Sequence, residues 1–276
     1  MPSREQTVKD AIGLFEDADN PSGLTKSSAW LGIYQTLLWY EPVNHLGYSE
    51  LPHIIDADKL RPTAIRRETW TKPNVWQIRA GKVHTYLSEQ LGCTSPNTAA
   101  KFDLLLKSPD YRGLQRQNTL GIAFAGLIEH VLSKYGDQGL SYATEVEAST
   151  IFPGITVPGR SGTPRMDVLA SRADIPIAVI SAKWSVRHDR LNDITNECPV
   201  YKAAYERIYR QGRKRLKYYV VTNEFDPSRL TKMLDDSCVD SIVHVHKSAV
   251  VDVCGLDGRL AELTDLTDFI DVTSSW

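Results

Sequence analysis

Two strand-forming runs, "RMDVLASR" and "IPIAVISAKW", meet across the short turn "SRADIP" and leave this stretch little choice but an antiparallel hairpin. The second run is apolar and β-branched, the composition of a strand covered on both faces. It opens directly onto Lys183 and a segment dense in both charge signs, "WSVRHDRLNDITNE". In an antiparallel pair the start of the first strand lies beside the end of the second. Asp167 and Lys183 occupy those two ends, so a carboxylate and an ammonium can meet over one small volume. Ser181, two residues before Lys183, shares its face because strand side chains alternate. Glu197 follows on what reads as the next helix and is a second acid able to reach the same spot. Between them, "RHDR" holds side chains suited to the edges of guanine and cytosine.

The rest of the chain sets this hairpin in a mixed α/β sheet. Beyond about Asn118, "NTLGIAFAGLIEHVLSKYG" predicts a long helix stopped at Gly136. Strand patterns follow in "LSYATEVEAST", "RMDVLASR", "IPIAVISAKW", "KYYVVTNE" and "DSIVHVHK". The longest helical pattern between them is "DITNECPVYKAAYERIYRQGR", with Pro199 placing the helix start near that residue or a kink there. Strands alternating with helices, several apolar on both faces, predict a sheet covered on both sides. Upstream the signals are helical: "SREQTVKDAIGLFEDA" with a Ser3 cap, "SSAWLGIYQTLLWYEPV", "KPNVWQIRAGKVHTYLSEQLG" and "SPNTAAKFDLLLKSP". We therefore divide the chain into an α-helical N-terminal region, residues 1–117, and a second domain, residues 118–276.

Composition excludes rather than assigns. A net charge of −2 over 276 residues does not point to nucleic acid, although binding needs only a local basic face such as "RQGRKRLK". That cluster suits phosphates or the C-terminal end of a helix equally well. No apolar run is long enough to span a bilayer and the N-terminus lacks a signal-peptide core, so a cytoplasmic protein without membrane contact is expected. Cys93, Cys198, Cys238 and Cys254 show no zinc spacing and read as reduced, mostly buried thiols. His244 and His246 alternate on a strand without metal partners and read as core or rim histidines.

The run Ser181-Ala-Lys183, then Arg187, Asp189, Arg190 and Glu197, with Asp167 upstream, resembles the active site of CCGG-type restriction endonucleases. These belong to the PD-(D/E)xK nuclease superfamily. Most of that superfamily carries an acid two residues before the lysine; the CCGG branch commonly has Ser there and takes its second carboxylate from a downstream Glu. Ser181 and Glu197 show that swap. The branch's recognition element, Lys-x-x-x-Arg-x-Asp-Arg, stands here as "KWSVRHDR". The usual Pro before the first acid is replaced by Met166, with Pro164 displaced upstream. The resemblance covers about residues 119–225.

It implies a restriction-endonuclease-like core, a mixed, mainly five-stranded sheet flanked by helices. It also implies a type II enzyme making Mg2+-dependent double-strand cuts at a palindromic site containing CCGG, before the first C, leaving 5′ CCGG overhangs. Asp167 and Glu197 would be the metal ligands, Lys183 would orient or help deprotonate the attacking water, and Ser181 would have a minor polar role. Glu129, on the preceding helix, is the candidate third acid, and the polar edge of an amphipathic helix explains it equally well. Glu145 and Glu147 read as solvent-facing. Arg187 and Arg190 can each bridge guanine O6 and N7, and Asp189 can accept from the cytosine amino group. The partners implied are double-stranded DNA, a second copy in a homodimer or higher oligomer, and a cognate DNA methyltransferase. The N-terminal region is a candidate DNA-contacting or dimerisation subdomain. The alternatives are a CCNGG-like target on the same fold, or a non-cleaving DNA-binding module on a nuclease scaffold.

Overall fold

A computed structural model describes residues 3–16, 23–33, 36, 119–184, 186, 188–209, 215–254 and 258–276. Its helices are α1 (Arg4–Glu16), α2 (Thr119–Tyr135), α3 (Ala148–Ile151), α4 (His188–Ile208), α5 (Pro227–Leu234), α6 (Lys247–Cys254) and α7 (Leu266–Val272). Its strands are β1 (Ser141–Glu147), β2 (Arg165–Arg172), β3 (Ile175–Lys183), β4 (Lys217–Thr222), β5 (Ser241–His244) and β6 (Thr264–Asp265). The chain divides into two compact units, Met1–Ala123 with Ser248–Gly255, and Phe124–Lys247 with Leu256–Trp276.

The β2–β3 hairpin forms as its sequence requires. Ala173 (φ 47) and Asp174 (φ 63) both turn through the left-handed region, the conformation that lets a two-residue loop match the twist of its strands. Pairing runs from Arg172↔Ile175 to Val168↔Ile180, with a register shift at Ala170/Ser171. All six strands form one sheet in the order β1-β2-β3-β4-β5-β6. The first three are antiparallel; β3 through β6 are parallel. The expected mixed sheet is thus present, extended by the short β6.

Side chains on β4 show how the sheet is covered. Neighbouring residues of a strand face opposite ways. Tyr218 stacks with Tyr201 of α4 (ring centroids 6.3 Å), whereas Tyr219 meets Phe269 of α7 (5.0 Å) and Trp276 (5.2 Å). Helices therefore pack on both faces, and β3 and β4 are buried along most of their length. Burying each such large side chain contributes about 1.5–3 kcal/mol. The parallel ends of β3 and β4, at Lys183 and Thr222, are the edge from which the loops to α4 and α5 depart.

In the first unit, Ser3 caps α1 as its sequence predicts, with its Oγ accepting from Gln6 N–H at 3.1 Å. Phe15 closes on Gly32, where an added Cβ would lie 2.7 Å from its ring. The predicted helices of residues 72–92 and 95–109, most of "SSAWLGIYQTLLWYEPV", and Arg210 to Lys214 of the basic cluster lie outside the described residues.

Two expectations change and one holds. Helix α4 begins at His188, not near Pro199, and Pro199 lies in its interior, where it has no N–H to donate to the Thr195 carbonyl. Glu197 is therefore in mid-helix. Cys198 and Cys238 are not free thiols but a disulfide, joining α4 to the turn before β5 across 40 residues of chain. His244 is buried as expected, its Nε2 facing the Glu224 carbonyl at 3.1 Å and its Nδ1 accepting from His246 N–H. Burial holds its pKa at about 4.

Among the described residues no helix is long and apolar enough to cross a membrane. Reduction of the Cys198–Cys238 bond is expected to lower unfolding free energy by about 2–4 kcal/mol, the range for a cross-link that closes a loop. Urea titration with and without dithiothreitol measures this. Thiol counting in urea should find two fewer reactive groups before reduction than after.

Candidate active site

The ladder between β2 and β3 ends at Val168↔Ile180, so Asp167 and Ser181 stand where the strands part. The Asp167 carboxylate fills the gap. Its Oδ2 accepts from the Ala182 N–H at 2.9 Å and the Ser181 hydroxyl at 3.3 Å, and it pairs with the Lys183 ammonium. Both ends of the ion pair are mostly shielded from water. On the other side of β2, Glu145 (φ 54) breaks the regular backbone of β1 between the pairs Thr144↔Val168 and Val146↔Met166. A left-handed non-glycine residue there costs about 1–3 kcal/mol, and it sits opposite Asp167. The exposed Glu147 carboxylate accepts from Ser149 Oγ.

Glu197 approaches from α4 and is only 6% exposed. Its Oε1 forms an ion pair with Nη2 of Arg160 at 2.6 Å, and the same Nη2 reaches Asp193 Oδ2 at 3.2 Å. Asp193 and Glu197 are one helical turn apart, which is why one guanidinium can serve both. Arg160 lies in the loop between α3 and β2, its N–H bonded to the Val157 carbonyl and its neighbour Gly159 in the left-handed region (φ 79). Burial pushes the Glu197 pKa up to about 7. Lys183 and Arg160 pull it down, while Asp167 and Asp193 add to the rise. Glu197 therefore feels the charges of the Asp167–Lys183 pair directly.

Two further groups border this volume. The hydroxyl of Tyr201 is buried and, among the described residues, has no hydrogen-bond partner, while that of Tyr218 is buried within reach of the Ser181 side chain. The phenols are pushed well above their ordinary pKa by burial, then by the Glu197 charge, with Asp167 acting in the same direction. An orphaned hydroxyl beside two carboxylates calls for a polar occupant that the described residues do not supply. A hard divalent cation carried on two carboxylates and retaining its waters meets that need, so Asp167 and Glu197 fit such an ion. Among the described residues there is no cluster of three or more His, Cys, Asp or Glu side chains that could enclose one unaided.

The remaining predicted residues are placed as follows. Glu129 lies on α2, where its carboxylate accepts from Ser133 Oγ at 2.7 Å. Among the described residues no hydrogen bond or ion pair links it to Asp167, Lys183 or Glu197. Asp189 and Arg190 are in the first turn of α4. Arg187 lies outside the described residues. Sequence reasoning missed Arg160, whose setting "GRSG" carries only a loop signal, and Glu224, a buried acid in the loop after β4.

No family model and no curated protein matches the chain. Among solved structures it is similar to "Metal-depleted Ecl18kI in complex with uncleaved, modified DNA", at 13% identity and a TM-score of 0.35. That alignment covers 100% of this chain and 85% of the other. "Metal-depleted Ecl18kI in complex with uncleaved DNA" aligns at 14% identity and a TM-score of 0.34, over 99% and 84% of the respective chains. A likeness this distant assigns no reaction to the chain.

The raised pKa of Glu197 has a sign that can be measured. Between its ordinary 4.5 and about 7 the folded state holds more proton than the unfolded state, so Glu197 weakens the fold as pH rises through that window. At about 1.4 kcal/mol per pKa unit the effect reaches a few kcal/mol. Glu197→Gln is expected to remove this decline, and urea midpoints of both proteins from pH 4.5 to 8 test it. Parallel profiles would contradict the assignment.

Proposed function

We propose that this chain is a type II restriction endonuclease that makes Mg2+-dependent double-strand cuts at a palindromic site containing CCGG. The observation that carries the reading is the convergence of Asp167, Ser181 and Lys183 at the parted ends of β2 and β3, with Glu197 entering from α4. Those residues stand in the order and spacing of the CCGG branch described above. Cleavage before the first C, leaving 5′ CCGG overhangs, is part of the same reading.

Asp167 and Glu197 would hold the ion, with the orphaned Tyr201 hydroxyl bordering its water shell. When bound, Mg2+ supplies a charge that offsets the negative charge on the phosphoryl oxygens. The chain's own groups do the rest. Lys183 holds its ammonium at the strand edge, where it can donate to the attacking water or to the phosphate. Ser181 and the Ala182 N–H keep the Asp167 carboxylate aimed into the site. Arg160 holds Glu197 and Asp193 together against their mutual repulsion. The buried flank of Tyr201, Tyr218 and Phe152 excludes bulk water and strengthens each of these interactions.

Base reading falls to Arg187, Asp189 and Arg190: each arginine can bridge guanine O6 and N7, and the aspartate can accept from cytosine N4. Two copies of such a half-site reader match a palindrome, so the active form is a homodimer with one catalytic centre per strand. A cognate methyltransferase is the expected partner in the cell, and the N-terminal region is proposed to contact flanking DNA or the second subunit.

Plasmid digestion followed by end sequencing tests reaction and target together. We expect Mg2+-dependent cuts bearing 5′ CCGG extensions; intact plasmid with Mg2+ present would overturn the reading, and CCNGG extensions would correct the target. Asp167→Ala is expected to abolish cleavage while leaving specific binding in place; loss of discrimination in that variant would move Asp167 into recognition. Arg187→Ala should weaken specific binding by about 1–3 kcal/mol in a competition titration against a mismatched duplex.

A further inference from the structure

The segment Trp184–Val186 joins the proposed catalytic lysine to the proposed base-reading arginine, and it is fastened at two backbone points to the loop that follows β4. Asn223 N–H donates to the Trp184 carbonyl at 3.1 Å, and Val186 N–H donates to Glu224 Oε2 at 2.8 Å. Trp184 and Val186 are themselves buried, and Trp184 packs edge-on against Phe124 (centroids 5.5 Å). The strands behind these loops are parallel neighbours, paired as far as Lys183↔Thr222, so both loops leave the sheet side by side.

Glu224 is unusual for a loop acid. It is 1% exposed, yet its carboxylate has four donors. Oε2 receives Val186 N–H and Nη1 of Arg229 (3.1 Å). Oε1 receives the N–H groups of Phe225 (3.0 Å) and Asp226 (2.9 Å). Its own N–H is bonded to Thr222 Oγ1, and its carbonyl faces His244 Nε2. The charge is thus fully compensated, as a buried carboxylate requires. Three of the four donors belong to the β4–α5 loop and α5. The helix start there is already capped by Asp226, which accepts from Ser228 and Arg229. The one donor from elsewhere is Val186 N–H, immediately before Arg187.

We propose that Glu224 is a positioning residue for sequence discrimination: its buried carboxylate clamps the backbone at Val186, the residue that precedes Arg187 in the chain. This rests on the base-reading role of Arg187 proposed above. A charged acceptor suits the task because its hydrogen bonds are shorter and stronger than neutral ones, and a bidentate contact to guanine tolerates little drift of the backbone that carries the arginine.

Three variants test the inference by the ratio of Kd values for a CCGG duplex and a duplex with one base pair changed, measured with Ca2+ in place of Mg2+. Arg187→Ala tests the reading on which it rests. Glu224→Gln keeps the shape but turns one acceptor into a donor facing N–H groups. Replacing Val186 by its α-hydroxy acid through nonsense suppression deletes only the one N–H and leaves Glu224 and its other donors intact. We expect both the Glu224 and Val186 variants to lower the ratio about tenfold, the cost of losing a hydrogen bond to a charged group, with the loss falling on the CCGG duplex. If Arg187→Ala lowers the ratio while the α-hydroxy variant keeps the wild-type value, the inference is overturned and the base-reading role stands. Equal weakening on both duplexes overturns it too, because that is what a purely structural bond would give. An unchanged ratio in Arg187→Ala refutes the base-reading role itself. Should Glu224→Gln fail to fold, the α-hydroxy variant alone decides.

Discussion

One carboxylate oxygen, Oδ2 of Asp167, holds the edge of the sheet in its observed form. Where β2 and β3 part, backbone groups lose their ladder partners, and a shielded N–H without a partner costs on the order of 1–3 kcal/mol. Asp167 takes that N–H, from Ala182, and adds the Ser181 hydroxyl and the Lys183 ammonium. The strands can separate there only because this side chain replaces the pairing they give up. Glu197 and Tyr201 approach the parted edge from α4, and Tyr218 faces Tyr201 from β4. Fold and site share a single solution to one hydrogen-bonding problem.

The charges around that gap do not balance. Three carboxylates, Asp167, Asp193 and Glu197, are matched by the two cations Lys183 and Arg160. Most of this charge is shielded from water, and the least exposed acid, Glu197, has its pKa raised by burial against the pull of the two cations. His244, buried on the far side of the β4–α5 loop's contacts, acts with the opposite sign. It is neutral in the fold to about pH 4, so the fold loses stability as pH falls from 6.5 through that value. The two groups tilt stability in opposing directions over overlapping ranges of pH.

What could be read from the sequence follows the range of the interactions. The hairpin was legible because alternation, β-branching and a short turn are local, and Asp167, Ser181 and Lys183 came with it through strand geometry alone. The Ser3 cap and the Gly136 stop were legible for the same reason. Glu197 was legible as a residue but not as a position, because Pro199 argued for a helix start or a kink near it, whereas the helix begins at His188. The Cys198–Cys238 bond joins residues with no spacing signature. Arg160 and Glu224 act across long separations through irregular loops, where neither periodicity nor motif marks a side chain that turns inward. Glu224 in particular reads as an ordinary surface acid until its four donors are seen.

The continuity of α4 carries a mechanical consequence. The helix holds Asp189 and Arg190 in its first turn and Glu197 two turns on, about 12 Å along one rod at 1.5 Å per residue. A rod of that length does not flex between those points as a loop would, and Cys198, next to Glu197, fastens it to the body of the sheet. Any tilt imposed at the first turn is therefore levered about that anchor rather than absorbed on the way. Alignment of the buried acid and the seating of the helix tip become a single adjustment, a rigid linkage of the kind by which a poor fit at one end spoils the geometry at the other.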